Sequence, residues 1–176
     1  KTQSKMNLKI KYRESFRPFA PSVMFDKADE YFDIGTESPY MLLVAPVRKK
    51  RRNKINQNNN YNTNDNLLKT INQSRSDIPA VTHIDYSARV QTINPNDKQD
   101  YYQLISIFEK LTGYGVLVNT SFNVRGEPIV CSPHDAYICF MRTEMDILVL
   151  ENSILYKKEQ PEFIEDILWR DEYELD

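Results

Sequence analysis

The sequence predicts an α/β domain, a twisted mixed β-sheet flanked by helices. Three observations lead there. Strand-like and helix-like stretches alternate along the chain instead of segregating. The 176 residues are 40% hydrophobic and 27% charged, enough apolar material for a real core in a length typical of one domain. The third is "VLVNTSFNVRGEPIVCSPHDA" (116–136), where a strand ends abruptly in Asn119, Thr120, Ser121 and Asn123. In α/β sheets ligands sit at that kind of strand end.

Taken in order, residues 8–25 begin with a short alternating stretch, pass through a polar centre and end as a strand at Ser22–Phe25. "DKADEYF" follows as a short helix from Asp26, and "SPYMLLVAPV" (38–47) as a strand. The composition then breaks. "RKKRRNK" (48–54) leads into a stretch with eight Asn among the fourteen residues 53–66, too polar to offset the entropy of ordering. A mobile insertion at 49–76 is therefore expected. "IPAVTHIDYSARVQTI" (78–93) reads as two short strands with His83 and Asp85 between them, sharing a strand face. "DYYQLISIFEKLTG" is the clearest helix, with Tyr101, Leu104, Ile105, Phe108 and Leu111 at helical spacing and Gly113 to end it. "GVLVN" reads as a buried strand. "SPHDAYICFMRT" is a helix with Ser132 as N-cap, Pro133 at its first position and Asp135 at its third. "DILVLEN" and "SILYKK" are strands, and "PEFIEDILWRDEY" a terminal helix.

Bulk properties narrow the function classes. The net charge of -2 offers no global attraction to nucleic acid or anionic lipid. No apolar run reaches membrane-spanning length and no signal peptide is visible, so a cytoplasmic protein is expected. Cys131 and Cys139 have no second pair and no CxxC spacing, which argues for buried, reduced thiols rather than zinc. The chain starts at Lys1 inside a patterned segment, and we expect it to be part of a longer protein.

With four glycines and no GxxxxGK[ST] or GxGxxG, any phosphate must be held by side chains. Three polar clusters could do so. Lys11, Arg13 and Arg17 lie in "KYRESFRPFAPS". On an extended segment Lys11 and Arg13 would point the same way and need an anion, or an acid such as Glu14, between them. His83, Asp85 and Arg89 form the second cluster, with Arg89 the best phosphate ligand because it stays charged and binds bidentately. Asn119, Thr120, Ser121 and Asn123 form the third. An elaborate turn would use one or two such groups on its own backbone, whereas four suggest a ligand. Three such clusters beside core strands suggest one convergent anion site.

Read together, "IKYRESFRPFAPSV", "SPYMLL", "IPAVTHIDYSARVQTI", "LVNTSFNVRGEPIVCSPHDA" and "DILVLEN" resemble, in order, the signature blocks of the C-terminal domain of the carbamoyltransferases of nodulation and antibiotic biosynthesis. The resemblance covers about residues 7–157. It implies a YrdC-like fold in which Lys11/Arg13 and Ser121/Asn123 correspond to the nucleotide-binding Lys-x-Arg and Ser-x-Asn pairs. It also implies that this domain converts carbamoyl phosphate and ATP, with Mg2+, into carbamoyl adenylate. A preceding domain of the ASKHA class, holding Fe2+ or a similar metal, would pass the carbamoyl group to an acceptor hydroxyl. On this reading Lys11, Arg17, Arg89 and Ser121 are catalytic. Arg13, His83, Asp85, Asn119, Thr120 and Asn123 bind the small-molecule substrates, together with Lys11, Arg17, Arg89 and Ser121. The partner is the preceding domain in cis, with no membrane and no metal in this domain.

Two departures from the family pattern stand out: Tyr86 and Ser87 where Gly-Thr is usual, and the long insertion after Val47. The competing class is a nucleotide- or RNA-binding module without turnover, using "RKKRRNK". A solvated linker explains that run better, because no aromatic residues interleave its cations.

Overall fold

The computed structural model describes residues 2–54, 71 and 73–164. The chain divides into two compact units. One is Pro18–Thr120, and the other joins Lys1–Arg17 to Ser121–Asp176.

The first unit is built on a four-stranded mixed sheet, in line with the expected fold class. Its strands are β1 (Ala20–Met24), β2 (Leu43–Pro46), β3 (Ser87–Ile93) and β4 (Val116–Asn119), in the order β2-β3-β1-β4. β1 runs parallel to β3, while β1–β4 and β2–β3 are antiparallel. All five residues of β1 are buried, because it lies between two partners and carries apolar or small side chains on both faces. β4 is an edge strand with every residue half-exposed, which corrects the expectation of a buried strand at "GVLVN".

Register decides what each face carries. Ser22 pairs with Gln91, Met24 with Ile93, Leu117 with Ser22, Asn119 with Ala20 and Val44 with Arg89. Lateral neighbours share a face, so one face holds Met24, Ile93 and Leu117 at one end and Ser22, Gln91, Arg89, Ser87 and Asn119 at the other. The helix over Gln99–Thr112, here α3, packs Ile105 with Tyr101 and Tyr102 onto the apolar end. Its spacing and its stop at Gly113, φ 80°, are as the sequence predicts. On the other side of the sheet Val23, Val90, Ala88 and Ala45 are buried.

"DKADEYF" forms a short 3₁₀ turn and then α2 (Ala28–Tyr31), which buries Tyr31 and leads to the buried Phe32. The strand expected over 38–47 shrinks to β2, because Ser38–Met41 turns, with Met41 at φ 58°. The two short strands expected over 78–93 are one. A 3₁₀ turn at Pro79–Val81 and a turn through His83–Tyr86 precede β3, so His83 and Asp85 sit in the turn and not on a strand face.

The basic run is part of this unit. Arg48 pairs with Asp29 and Asp33, at 3.0 and 2.9 Å. Arg51 stacks 3.7 Å over the Tyr31 ring and bonds Asp77 at 2.6 Å. Arg52 bonds the Val47 carbonyl and bridges to Ser76. Three of its cations are thus committed to the fold, where a solvated linker was expected. Both ends of the expected 49–76 insertion are therefore fixed, and its centre lies outside the described residues.

The second unit starts with α1 (Thr2–Lys9), whose last turn takes in Leu8 and Lys9, the start of the stretch read as alternating from residue 8. α1 places Asn7 at 0% exposure, with every polar atom used. Nδ2 donates to the carbonyls of Arg17 (2.8 Å) and Ser15 (3.2 Å), and Oδ1 accepts from Arg13 Nε (2.7 Å). The helix over Pro133–Arg142, α4, opens with the expected N-cap at Ser132, completed into a capping box by Asp135. α4 packs against the hairpin of β5 (Ile147–Leu150) and β6 (Ser153–Tyr156) and buries Cys139 and Phe140. Lys157 donates to the Phe140 and Thr143 carbonyls, closing the C-terminal end of α4. Cys139 is buried as expected but Cys131 is exposed, so the thiols divide. Of the expected terminal helix, residues 161–164 are irregular and the rest lies outside the described residues.

Candidate functional site

The sequence-predicted residues fall into two groups, one in each unit. In the second unit, Lys11 is 4% exposed, and its ammonium faces the "NTSFN" turn. It donates to the carbonyls of Ser121 (2.9 Å) and Asn123, to Asn123 Oδ1 (2.7 Å) and, at 3.3 Å, to Ser121 Oγ. Three N–H donors therefore meet four acceptors, and the ammonium is saturated. Ser121 Oγ donates to Asn123 Oδ1 at 2.6 Å, and Asn123 Nδ2 to the Glu127 carbonyl at 2.7 Å. The backbone N–H of Arg125 donates in turn to the Lys11 carbonyl. Lys11 thus meets Ser121 and Asn123 across 110 and 112 residues of sequence, while Arg13 Nε donates to Asn7.

Burial pushes the Lys11 ammonium down to about 8, with the positive charge of Arg13 adding to it. Lys11 and Arg13 do not share the face of an extended segment, as the sequence suggested. They flank Tyr12, which lies at φ 49° just after α1. Burial also lowers Arg13 from its ordinary value, with Arg17 next in effect. Arg17 is exposed and pairs with Glu14 at 2.9 Å. Glu127, which the sequence reading left unassigned, anchors this turn: Oε2 accepts from the Val124 N–H and Oε1 lies 3.5 Å from Arg142.

In the first unit the polar end of the sheet face gathers a second group. Gln91 Oε1 accepts from Ser22 Oγ (2.8 Å) and from Asn119 Nδ2, while Gln91 Nε2 donates to the Pro39 carbonyl (2.9 Å). Arg89 is one pleat away on the same face, exposed, with no hydrogen bond or ion pair among the described residues. Beside it, Ser87 Oγ donates to Asp85 Oδ1 at 2.6 Å and lies 2.9 Å from His83 Nδ1. His83 is held below its ordinary value by burial, against the opposing pull of Asp85 and with Arg89 adding to the depression. Asp85 is held low by its two bonds from Ser87. Thr120 is half-exposed at the end of this unit.

Gln91, Ser22 and Ser87 were missed by the sequence reading. The signal was present, since Ser87 and Gln91 alternate with Arg89 and so had to share its face once β3 was a single strand. Among the described residues, no group of three or more His, Cys, Asp and Glu is placed to hold a metal ion, and no helix is long and apolar enough to cross a membrane.

The fold and the site together define an α/β domain in which Arg89 stays uncommitted, among the described residues, on a sheet face shared with Ser87, Gln91 and Asn119. The chain belongs to the carbamoyltransferase C-terminus family, matching it over residues 1–157. It is 57% identical over 174 residues to an uncharacterized protein of Synechocystis, covering 99% of this chain and 28% of that protein. It is 37% identical to nodulation protein NolNO of Sinorhizobium fredii, over 89% of this chain and 20% of that protein. It is also 37% identical to nodulation protein U of Rhizobium tropici, over 66% of this chain and 16% of that protein. The chain therefore spans between a sixth and three tenths of the length of these relatives.

Proposed function

We propose that this chain is the carbamoyl-activating part of an O-carbamoyltransferase. Water hydrolyses carbamoyl phosphate to carbamate and phosphate. A carbamate oxygen then attacks the α-phosphorus of ATP, pyrophosphate leaves, and carbamoyl adenylate forms. Another domain of the longer protein passes the carbamoyl group to an acceptor hydroxyl, releasing AMP. The YrdC-like relationship suggested by the motif order is part of the same proposal.

The observation that carries it is Arg89, an exposed guanidinium with no partner among the described residues, beside a half-buried neutral imidazole. Joining two polyanions requires fixed cations that are not already neutralised. Arg89 is such a cation. Lys11 is not such a cation: saturated by Ser121 and Asn123, it holds the turn of its own unit. This revises the expectation that Lys11 meets phosphate directly.

The test is carbamoyl-phosphate-dependent exchange of pyrophosphate into ATP, measured on the full-length protein. Arg89→Ala is expected to lower the exchange rate about 30- to 1,000-fold, the loss of about 2–4 kcal/mol of transition-state stabilisation. Its melting temperature should hold, because Arg89 is exposed. Exchange that ignores carbamoyl phosphate, or an Arg89→Ala enzyme of full activity, would overturn the reading.

A further inference from the structure

The Asp85–Ser87–His83 chain determines where the imidazole proton lies. Asp85 is a carboxylate, held ionised by the two bonds it receives from Ser87, and a carboxylate only accepts. The single hydroxyl proton of Ser87 is therefore spent on Asp85 at 2.6 Å. The 2.9 Å contact between Ser87 Oγ and His83 Nδ1 can then be made only by an Nδ1–H donating to Ser87. In the neutral ring the other nitrogen, Nε2, is left with a lone pair and no proton, and it has no hydrogen bond among the described residues. The backbone repeats the constraint, since the His83 N–H donates to the Ser87 carbonyl at 2.8 Å and fixes the turn.

We infer that His83 Nε2 is a standing hydrogen-bond acceptor that selects, among small acyl phosphates held by Arg89, those carrying an N–H donor, with Ser87 and Asp85 as its positioning residues. Naming carbamoyl phosphate as the ligand rests on the proposed function; the tautomer does not. An amide –NH2 can donate to Nε2. A methyl group of the same size, as in acetyl phosphate, leaves that lone pair unpaired in a half-buried place, where an unmet acceptor is costly. A single imidazole with a carboxylate beside it would suit a metal ion poorly, since no third ligand gathers there among the described residues.

The chain has only two histidines, so the 15N-histidine spectrum of the full chain can be assigned with His83→Gln. Above neutral pH, His83 is expected to show a protonated Nδ1 and an unprotonated Nε2. Ser87→Ala should release the ring to the other tautomer, and Ser87→Thr, which keeps the hydroxyl, should restore it. A wild-type His83 carrying its proton on Nε2 overturns the inference whatever the ligand. Titration then separates the two proposals. Carbamoyl phosphate should shift the Nε2 resonance and bind about ten-fold tighter than acetyl phosphate, and Ser87→Ala should remove most of that preference. Equal binding of the two phosphates overturns the inference and leaves the proposed function standing. Binding of neither overturns the ligand assignment and the proposed function together.

Discussion

The Lys11 ammonium donates to both oxygens of Asn123, the side-chain Oδ1 at 2.7 Å and the main-chain carbonyl. A buried cation thus holds a turn through acceptors that have few other donors. Lys11→Met is expected to strand the Ser121 and Asn123 carbonyls, while Asn123 Oδ1 keeps the Ser121 hydroxyl, and to destabilise the fold by about 2–4 kcal/mol. Asn123→Ala should cost less, and the double variant should cost clearly less than the sum, because both remove one network. Urea unfolding of the three variants measures this, and strict additivity would count against it.

Asn7 fixes the basic segment in the same manner. Its amide holds the Ser15 and Arg17 carbonyls and its oxygen holds Arg13 Nε, all at 0% exposure. Asn7→Ala removes all three bonds, with Gln3 Nε2 still donating to the Arg17 carbonyl, and should lower stability by about 2–4 kcal/mol. Limited proteolysis should cut first within residues 10–17 of this variant, and an unchanged cleavage pattern would refute the assignment.

Tyr86 lies at φ 64°, at the position where the sequence resemblance led us to expect glycine. A non-glycine residue there carries roughly 1–2 kcal/mol of strain. Glycine would relieve it, but would lose about 0.5–1 kcal/mol to unfolded-chain entropy and a contact of about 0.5 kcal/mol with Arg52, whose guanidinium lies 5.1 Å from the Tyr86 ring centre. Tyr86→Gly should therefore stay within about 0.5 kcal/mol of wild type. Tyr86→Val, β-branched and ill-suited to this region, should fall at least about 1 kcal/mol below. Thermal denaturation of the pair decides whether the departure from the family motif is tolerated for this reason.

His83 should make stability fall in mild acid. Its folded value is lowered, by burial first and by Arg89, against the pull of Asp85. Below its ordinary value of about 6.5 the unfolded chain binds the proton first, so the unfolded state gains and stability declines as pH drops. The contribution is complete above about pH 6.5. Asp85 is lowered too, so its own loss lies below the ordinary carboxylate range and outside this window. The urea midpoint of wild type should drop between about pH 7 and pH 5.5 more steeply than that of His83→Gln. Parallel curves would show that His83 does not titrate this way.

The sequence by itself determined the elements whose signals are local. Helical spacing from Tyr101 to Leu111, a glycine stop at Gly113 and the Ser132-Pro133-x-Asp135 start are written within one or two turns, and the structure keeps all three. Motif order likewise placed the chain in its family. Tertiary structure decided the rest, because the competing conformations differ only in long-range bonds. Residues 2–9 became a helix whose Asn7 holds the segment after it, although the alternation read from residue 8 gave no sign of that helix. Arg48 and Arg51 of the basic run were drawn into the fold because Asp29, Asp33, Tyr31 and Asp77 were in reach, and Arg52 because the Val47 carbonyl was. Which of the predicted cations stay uncommitted was likewise invisible in sequence. Lys11 is consumed by acceptors 110 and 112 residues away, whereas Arg89, on a face shared with Ser87 and Gln91, is not. Charge is a property of the residue, but the availability of that charge depends on what the fold brings within about 3 Å of it.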